Sequence, residues 1–318
     1  MDHHHHRGRM LLLHLRASDQ FNSPVGRCLF GILQEQAVSD ASPRILLLHL
    51  CTYRRMQIIK CLTRHVKPLE EAGAWVQVFG IKGPPQEIAG LNIKTAQMCA
   101  EAQGLFDSTT HDEEWELCML KTIEDAIVID FQYQSWIDRY SKLEVWGFQV
   151  YDLFPNETLP ANGRVHVYYD TWTAYIWTSC RSKRTHLQEV LLHCVSLLTC
   201  VPNAIDLSRV LKRLGLDESL LLHSRTIIND MVSGISATVP FMLGDINASG
   251  KIALQKKRMQ LAGYHLMWPL HVARLSAQPG SEEEAWLEGR LRFIDREMGI
   301  KFAGHLANKV KDKPWNLG

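Results

Sequence analysis

The spacing of its apolar residues limits this chain more than any other feature. Along most of the sequence they recur every three or four positions, and sustained alternation is scarce. A repeat near 3.6 places such residues on one face of an α-helix, whereas a half-buried strand needs a repeat of two. The pattern predicts helices over 43–67, 90–104, 111–140, 170–200, 206–214, 217–236, 250–266, 282–296 and 300–310. With 318 residues and 46% apolar content, there is enough chain to bury a large core. The expected fold class is all-α, a multi-helix array forming a single large domain.

Local signals refine several of these elements. Asp112, Glu113 and Glu114 open the 111–140 segment with negative charge, which suits the positive end of a helix dipole. Its expected buried stripe holds Trp115, Cys118, Ile123, Ala126, Ile127, Phe131 and Trp136. Residues 141–169 read as a turn-rich connector, with Pro155, Asn156, Pro160, Asn162 and Gly163, ending in an extended run from Val165 to Tyr169. Asp170 is placed to cap the next helix. That helix is expected to bury a broad face of Trp172, Ile176, Cys180, Leu187, Val190, Leu191, Cys194 and Leu198. Pro240 and Pro269 predict bends, since proline removes a helix hydrogen bond.

Residues 1–9, with His3 to His6, read as an expression tag and are set apart. Residues 10–90 form an N-terminal helical region and 91–318 the main helical domain. No apolar run is long enough for a membrane span. The formal charge is +1, from 35 basic and 34 acidic side chains, which offers no footprint for direct nucleic-acid binding. Lys256-Lys257-Arg258 reads as a solvated helix face. Eight scattered cysteines, none in a C-x-x-C pair, suggest buried thiols in a reducing compartment. No metal site or cofactor is expected.

Three groups of residues are chemical candidates. Trp177, Arg181 and Arg184 follow i, i+4, i+7, so they share a helix face that could bind an anionic or aromatic ligand. The alternative is a buried tryptophan with arginines paired to carboxylates of a neighbouring helix. His166, Tyr168 and Asp170 alternate just before that helix and would point to one side of an extended segment, where they could do acid–base work. The alternative makes Asp170 a cap and Tyr168 a packing aromatic. His265 and Trp268, beside Pro269, could line a ligand cavity between helices or simply fill the core.

Between residues 128 and 200 these groups form a series: Asp130, Trp136, Trp146, His166-Val167-Tyr168, Asp170-x-Trp172, then Trp177-x-x-Cys180-Arg181-x-x-Arg184. Tyr264-His265-Leu266-Met267-Trp268-Pro269-Leu270 follows near the C-terminus. Over about residues 95–310 the series resembles the regulatory (middle homology) domain of fungal zinc-cluster transcription factors. Trp177, Arg181 and Arg184 match that family's pattern; Thr178 stands where Asn is usual and Thr185 where Ile is common. The closely spaced six-cysteine zinc cluster is absent from these residues. The resemblance implies a nuclear or cytoplasmic regulatory domain that senses a small molecule or protein partner without contacting DNA. The alternative is a secondary-metabolism enzyme built on the same helical scaffold and its internal cavity.

Overall fold

A computed structural model describes residues 61–62, 67, 83–200, 219–253 and 260–309. The expected helix at 206–214 and the basic run at 256–258 lie outside the described residues, as does nearly all of the expected helix at 43–67. Among the described residues there are seven named helices: α1 (Pro84–Phe106), α2 (Glu113–Tyr140), α3 (Thr171–Cys200), α4 (Ser219–Met242), α5 (Gln260–Ser276), α6 (Glu282–Glu297) and α7 (Lys301–Asn308). One two-stranded antiparallel hairpin joins α2 to α3, made of β1 (Phe148–Asp152) and β2 (Arg164–Tyr168). The fold is thus dominated by helix, as the apolar spacing predicts. None of the described helices is long and apolar enough to cross a membrane.

Helix α3 is the axis. It packs against α1, α2, α4, α5 and β2, so nearly every side chain from Thr173 to Leu192 is buried. A helix buried all round must find partners for its polar residues. Asn92 of α1 donates to Ser179 Oγ of α3 (3.2 Å) and accepts from Tyr133 Oη of α2 (2.9 Å), which ties three helices together. The helix starts are capped as their sequences suggest: Asp112 Oδ1 accepts from Trp115 N (2.9 Å) and Asp170 Oδ1 from Thr173 N (2.7 Å).

Three sequence expectations need correction. On α2, Cys118 is exposed and Phe131 is 76% exposed, because the buried stripe instead follows Trp115, Met119, Thr122, Ile123, Ala126, Ile129, Tyr133 and Trp136. Residues 250–253 are not helical. Asn247 Oδ1 accepts from Ser249 N and Lys251 N, and Ile252 bridges to Ile246, so a turn occupies the expected helix start. The helix expected to stop at 266 runs on through Pro269 to Ser276. Leu266, Leu270, Val272 and Ala273 are buried on both sides of the proline, and their packing outweighs the lost hydrogen bond.

The hairpin belongs to the core through β2. Val165 and Val167 pack with Leu159 and Ile246, flanked by Tyr151, Leu153 and Phe241. His166 and Tyr168, on the other face, are also buried. Gly163 holds the return into β2 at φ +65°, where a Cβ would lie 2.0 Å from the Leu153 carbonyl oxygen. No larger residue fits that approach.

Candidate functional site

The chemically unusual place is where the second face of β2 meets α3 and α4. Arg181 is 4% exposed. Its Nη1 donates to Tyr168 Oη (2.7 Å), to the Gly234 carbonyl (2.9 Å) and to Thr238 Oγ1 (2.8 Å). Its Nη2 lies 3.3 Å from His166 Nδ1. The guanidinium carbon sits 5.0 Å from the Phe148 ring centroid and 5.2 Å from that of Trp177, both within cation–π range. Every one of these partners is neutral. Among the described residues no carboxylate pairs with Arg181.

Each partner is positioned by its own element. Residues two apart on a strand share a face, so β2 presents His166 and Tyr168 together. Arg181 comes from the middle of α3. Gly234 and Thr238, one turn apart on α4, supply the remaining oxygens. Gly234 also permits the approach: a Cβ there would fall 2.7 Å from Arg181 Nε and 3.0 Å from Cδ. Thr238 gives its only hydroxyl proton to the Gly234 carbonyl (2.8 Å). The 2.7 Å bond between Tyr168 and Thr238 therefore carries the tyrosine's proton.

Because a guanidinium can only donate, His166 Nδ1 accepts and the ring proton stays on Nε2. Burial, then the positive charges of Arg181 and Arg164, push the His166 pKa down to about 2. Burial raises that of Tyr168 above the usual phenol range, against the opposing pull of Arg181. A histidine fixed neutral and a phenol fixed protonated are poorly suited to moving protons near neutrality. The arrangement surrounds one buried cation with neutral groups.

Asp170 stands apart from these two residues. Strand β2 ends at Tyr168, so the alternation stops before it reaches Asp170, which turns to cap α3. Trp177 is 1% exposed and its Nε1 donates to the Trp146 carbonyl (2.6 Å). Its ring meets Trp136 (4.9 Å) and Phe148 (5.0 Å). It therefore anchors α3 to α2 and the hairpin. Helix α3 meets the C-terminal helix α5 through contacts that include Tyr175, stacked on His265 at 4.5 Å, and Glu189, which accepts from Ser276 Oγ (2.7 Å).

Arg184 has a different environment. Its Nε and Nη2 grip Asp130 of α2 side-on, at 2.7 and 2.9 Å, and its Nη1 donates to Gln134 (2.8 Å). Of the two candidate arginines of α3, Arg184 is thus the one paired with a neighbouring helix's carboxylate. Trp268 is half-buried, with its ring 5.7 Å from His271. His271 is buried beside Arg274, whose Nη2 donates to the carbonyls of Leu306 and Lys309 at the end of α7. Burial and the Arg274 charge lower the His271 pKa to about 4.

Among the described residues no cluster of three or more His, Cys, Asp or Glu side chains could hold a metal ion. Cys61, Cys99, Cys180 and Cys194 are buried, and Cys118 is exposed. No family model, curated protein or solved structure matches this chain. Sequence reasoning singled out Arg181, Trp177, His166 and Tyr168 but missed Phe148, Gly234 and Thr238. Only the short run Phe148-Gln149-Val150-Tyr151 hints at the first. Nothing local marks the other two.

Proposed function

We propose that this chain is a helical regulatory domain of the kind found in fungal zinc-cluster transcription factors, and that it responds to a small-molecule effector held at Arg181. The observation that carries this reading is a buried guanidinium with only neutral partners, set between aromatic rings. A buried charge without a counter-charge is costly, and an anionic ligand offsets that cost. The near-zero formal charge supports a role that does not depend on contact with DNA.

The test joins the full chain to an unrelated DNA-binding module that drives a reporter gene, and screens anionic metabolites for a rise in Tm of the purified chain. The reading expects at least one compound to raise Tm and also to change reporter output. If the fused chain leaves the reporter unchanged with every compound that raises Tm, the regulatory role is wrong.

A further inference from the structure

Arg181 and Arg184 are three residues apart on α3, and one shows what the other lacks. Arg184 uses the side-on fork of its guanidinium, Nε and Nη2, to hold both oxygens of the Asp130 carboxylate. Arg181 makes three of its four hydrogen bonds through Nη1. Its Nη2 has only His166, and its Nε meets no acceptor among the described residues. The fork that binds a carboxylate in Arg184 is thus only part-used in Arg181. Phe148 and Trp177 lie against the guanidinium, and His166 lies 4.4 Å from Phe148 at an interplanar angle of 31°. The surroundings are flat, aromatic and carry one positive charge.

We propose that Arg181 binds a planar monocarboxylate, an acid whose carboxylate is conjugated to an aromatic or unsaturated group. The proposal rests on the effector reading above and names the ligand class for it. One carboxylate fits the fork formed by Nε and Nη2, as Arg–carboxylate geometry favours two parallel bonds. A conjugated ring adds an aromatic contact to Phe148 and Trp177, which meet edge to face at 79°. A single negative charge balances the single cation, whereas a phosphate dianion would leave excess charge in a buried place. Gly234 lets the α4 backbone lie close over the guanidinium, since a Cβ there would fall 2.7 Å from Nε, 3.0 Å from Cδ and 3.1 Å from Cζ.

The test titrates the full chain with benzoate, cinnamate, benzamide, cyclohexanecarboxylate and inorganic phosphate. Calorimetry and the Nε–H resonance of Arg181 are the readouts. Benzoate or cinnamate is expected to bind saturably and to shift the Arg181 Nε–H signal. Benzamide, phosphate and the non-planar acid are expected to bind at least about tenfold more weakly, the loss of one charge-assisted contact. Arg181→Lys keeps the charge but lacks the fork, and should weaken benzoate by a similar factor. Gly234→Ala should do so by displacing the guanidinium. If either variant fails to fold, the resonance of the unaltered protein still decides. No shift with either planar acid, a shift equally large with phosphate, or unchanged benzoate affinity in a folded Arg181→Lys protein overturns the proposal. A different ligand that acts on the reporter without disturbing Arg181 would remove this site and leave the regulatory reading standing. Benzoate bound at Arg181 in a chain with no effect on the reporter would do the reverse.

Discussion

The two arginines of α3 face opposite fates less than one helical turn apart. Arg184 closes on Asp130 and Gln134 and fastens α3 to α2. Arg181 reaches toward the hairpin and α4, where only hydroxyls, a carbonyl, a neutral imidazole and two rings receive it. Both are almost wholly buried, so exposure does not separate them. The difference lies in the partner. A buried ion pair with both members present is a clamp, while a buried cation among dipoles is, on the reading we propose, left to attract an anion. Removing a residue should therefore damage the Arg184 side through stability and the Arg181 side through binding as well.

Trp177 lies between these two regions, and its loss should have the largest effect. Its ring touches Trp136 on the Arg184 side, and touches Phe148 and Arg181 on the other. Trp177→Ala is expected to lower stability by about 3–5 kcal/mol in urea unfolding, as for other buried aromatic truncations. A change within about 0.5 kcal/mol would mean the ring is not a core element.

Breaking the clamp comes next. Asp130→Ala leaves Arg184 buried without its carboxylate, and a loss of about 3 kcal/mol is expected, the lower end for a buried pair because Asp130 is 14% exposed on its side chain. The effect should be on stability, with the response of Arg181 to benzoate kept. Equal loss of benzoate binding and of stability would show that the two regions are one unit.

These contrasts also show what could be read from the chain. The helical character, the Asp170 cap and the burial of Trp177 follow from short-range rules: a repeat of 3.6, an Asx residue before an apolar run, and a tryptophan on an apolar stripe. The i, i+4, i+7 spacing correctly puts Trp177, Arg181 and Arg184 near one face. It says little more once α3 is enclosed on all sides, because two long side chains 60° or so apart about the axis can reach different neighbours. Asp130 lies 54 positions before Arg184, and Thr238 lies 57 after Arg181. Such pairings depend on how helices dock. Strand β1 escaped notice because Phe148-Gln149-Val150-Tyr151-Asp152 is short and its apolar alternation stops after Phe148 and Val150, with Asp152 next in the series. The helix expected to stop at 266 runs on through Pro269 because Leu266, Leu270, Val272 and Ala273 pack on both sides of it.

On the Arg181 side the next effect is smaller. Tyr168→Phe removes one acceptor from Arg181 Nη1 and the proton given to Thr238. A bond to a charged donor contributes about 1.5–3 kcal/mol, and Thr238 and Gly234 remain to receive the guanidinium, so about 1.5 kcal/mol is expected by thermal or urea unfolding. The ring contacts with Phe148 and Phe241 should persist. A loss as large as that of Asp130→Ala would place a second clamp where we see a held cation.

The mildest test uses acid, and it separates the regions without altering Arg181 itself. His166 is held neutral when folded, with its pKa at about 2 against 6.5 for the ordinary group. The unfolded chain takes up that proton as pH falls below about 6.5, while the folded chain does not. Its contribution is therefore complete above about pH 6.5 and falls as pH drops toward 2, at about 1.4 kcal/mol for each pH unit. His271, near the end of α7, adds the same slope down to its folded value of about 4. His166→Asn offers an amide oxygen to Arg181 Nη2 and cannot titrate. Between pH 6 and 5 that variant should lose stability less steeply than the unaltered chain, by somewhat under 1.4 kcal/mol because the unfolded histidine is only part-protonated at the upper limit. The His271 share of the slope should be untouched. If the two proteins show the same acid slope, His166 does take a proton in the folded state. The imidazole could then not be a fixed acceptor for Arg181, and the contrast between a cation held by neutral groups and a closed ion pair would lose its main support.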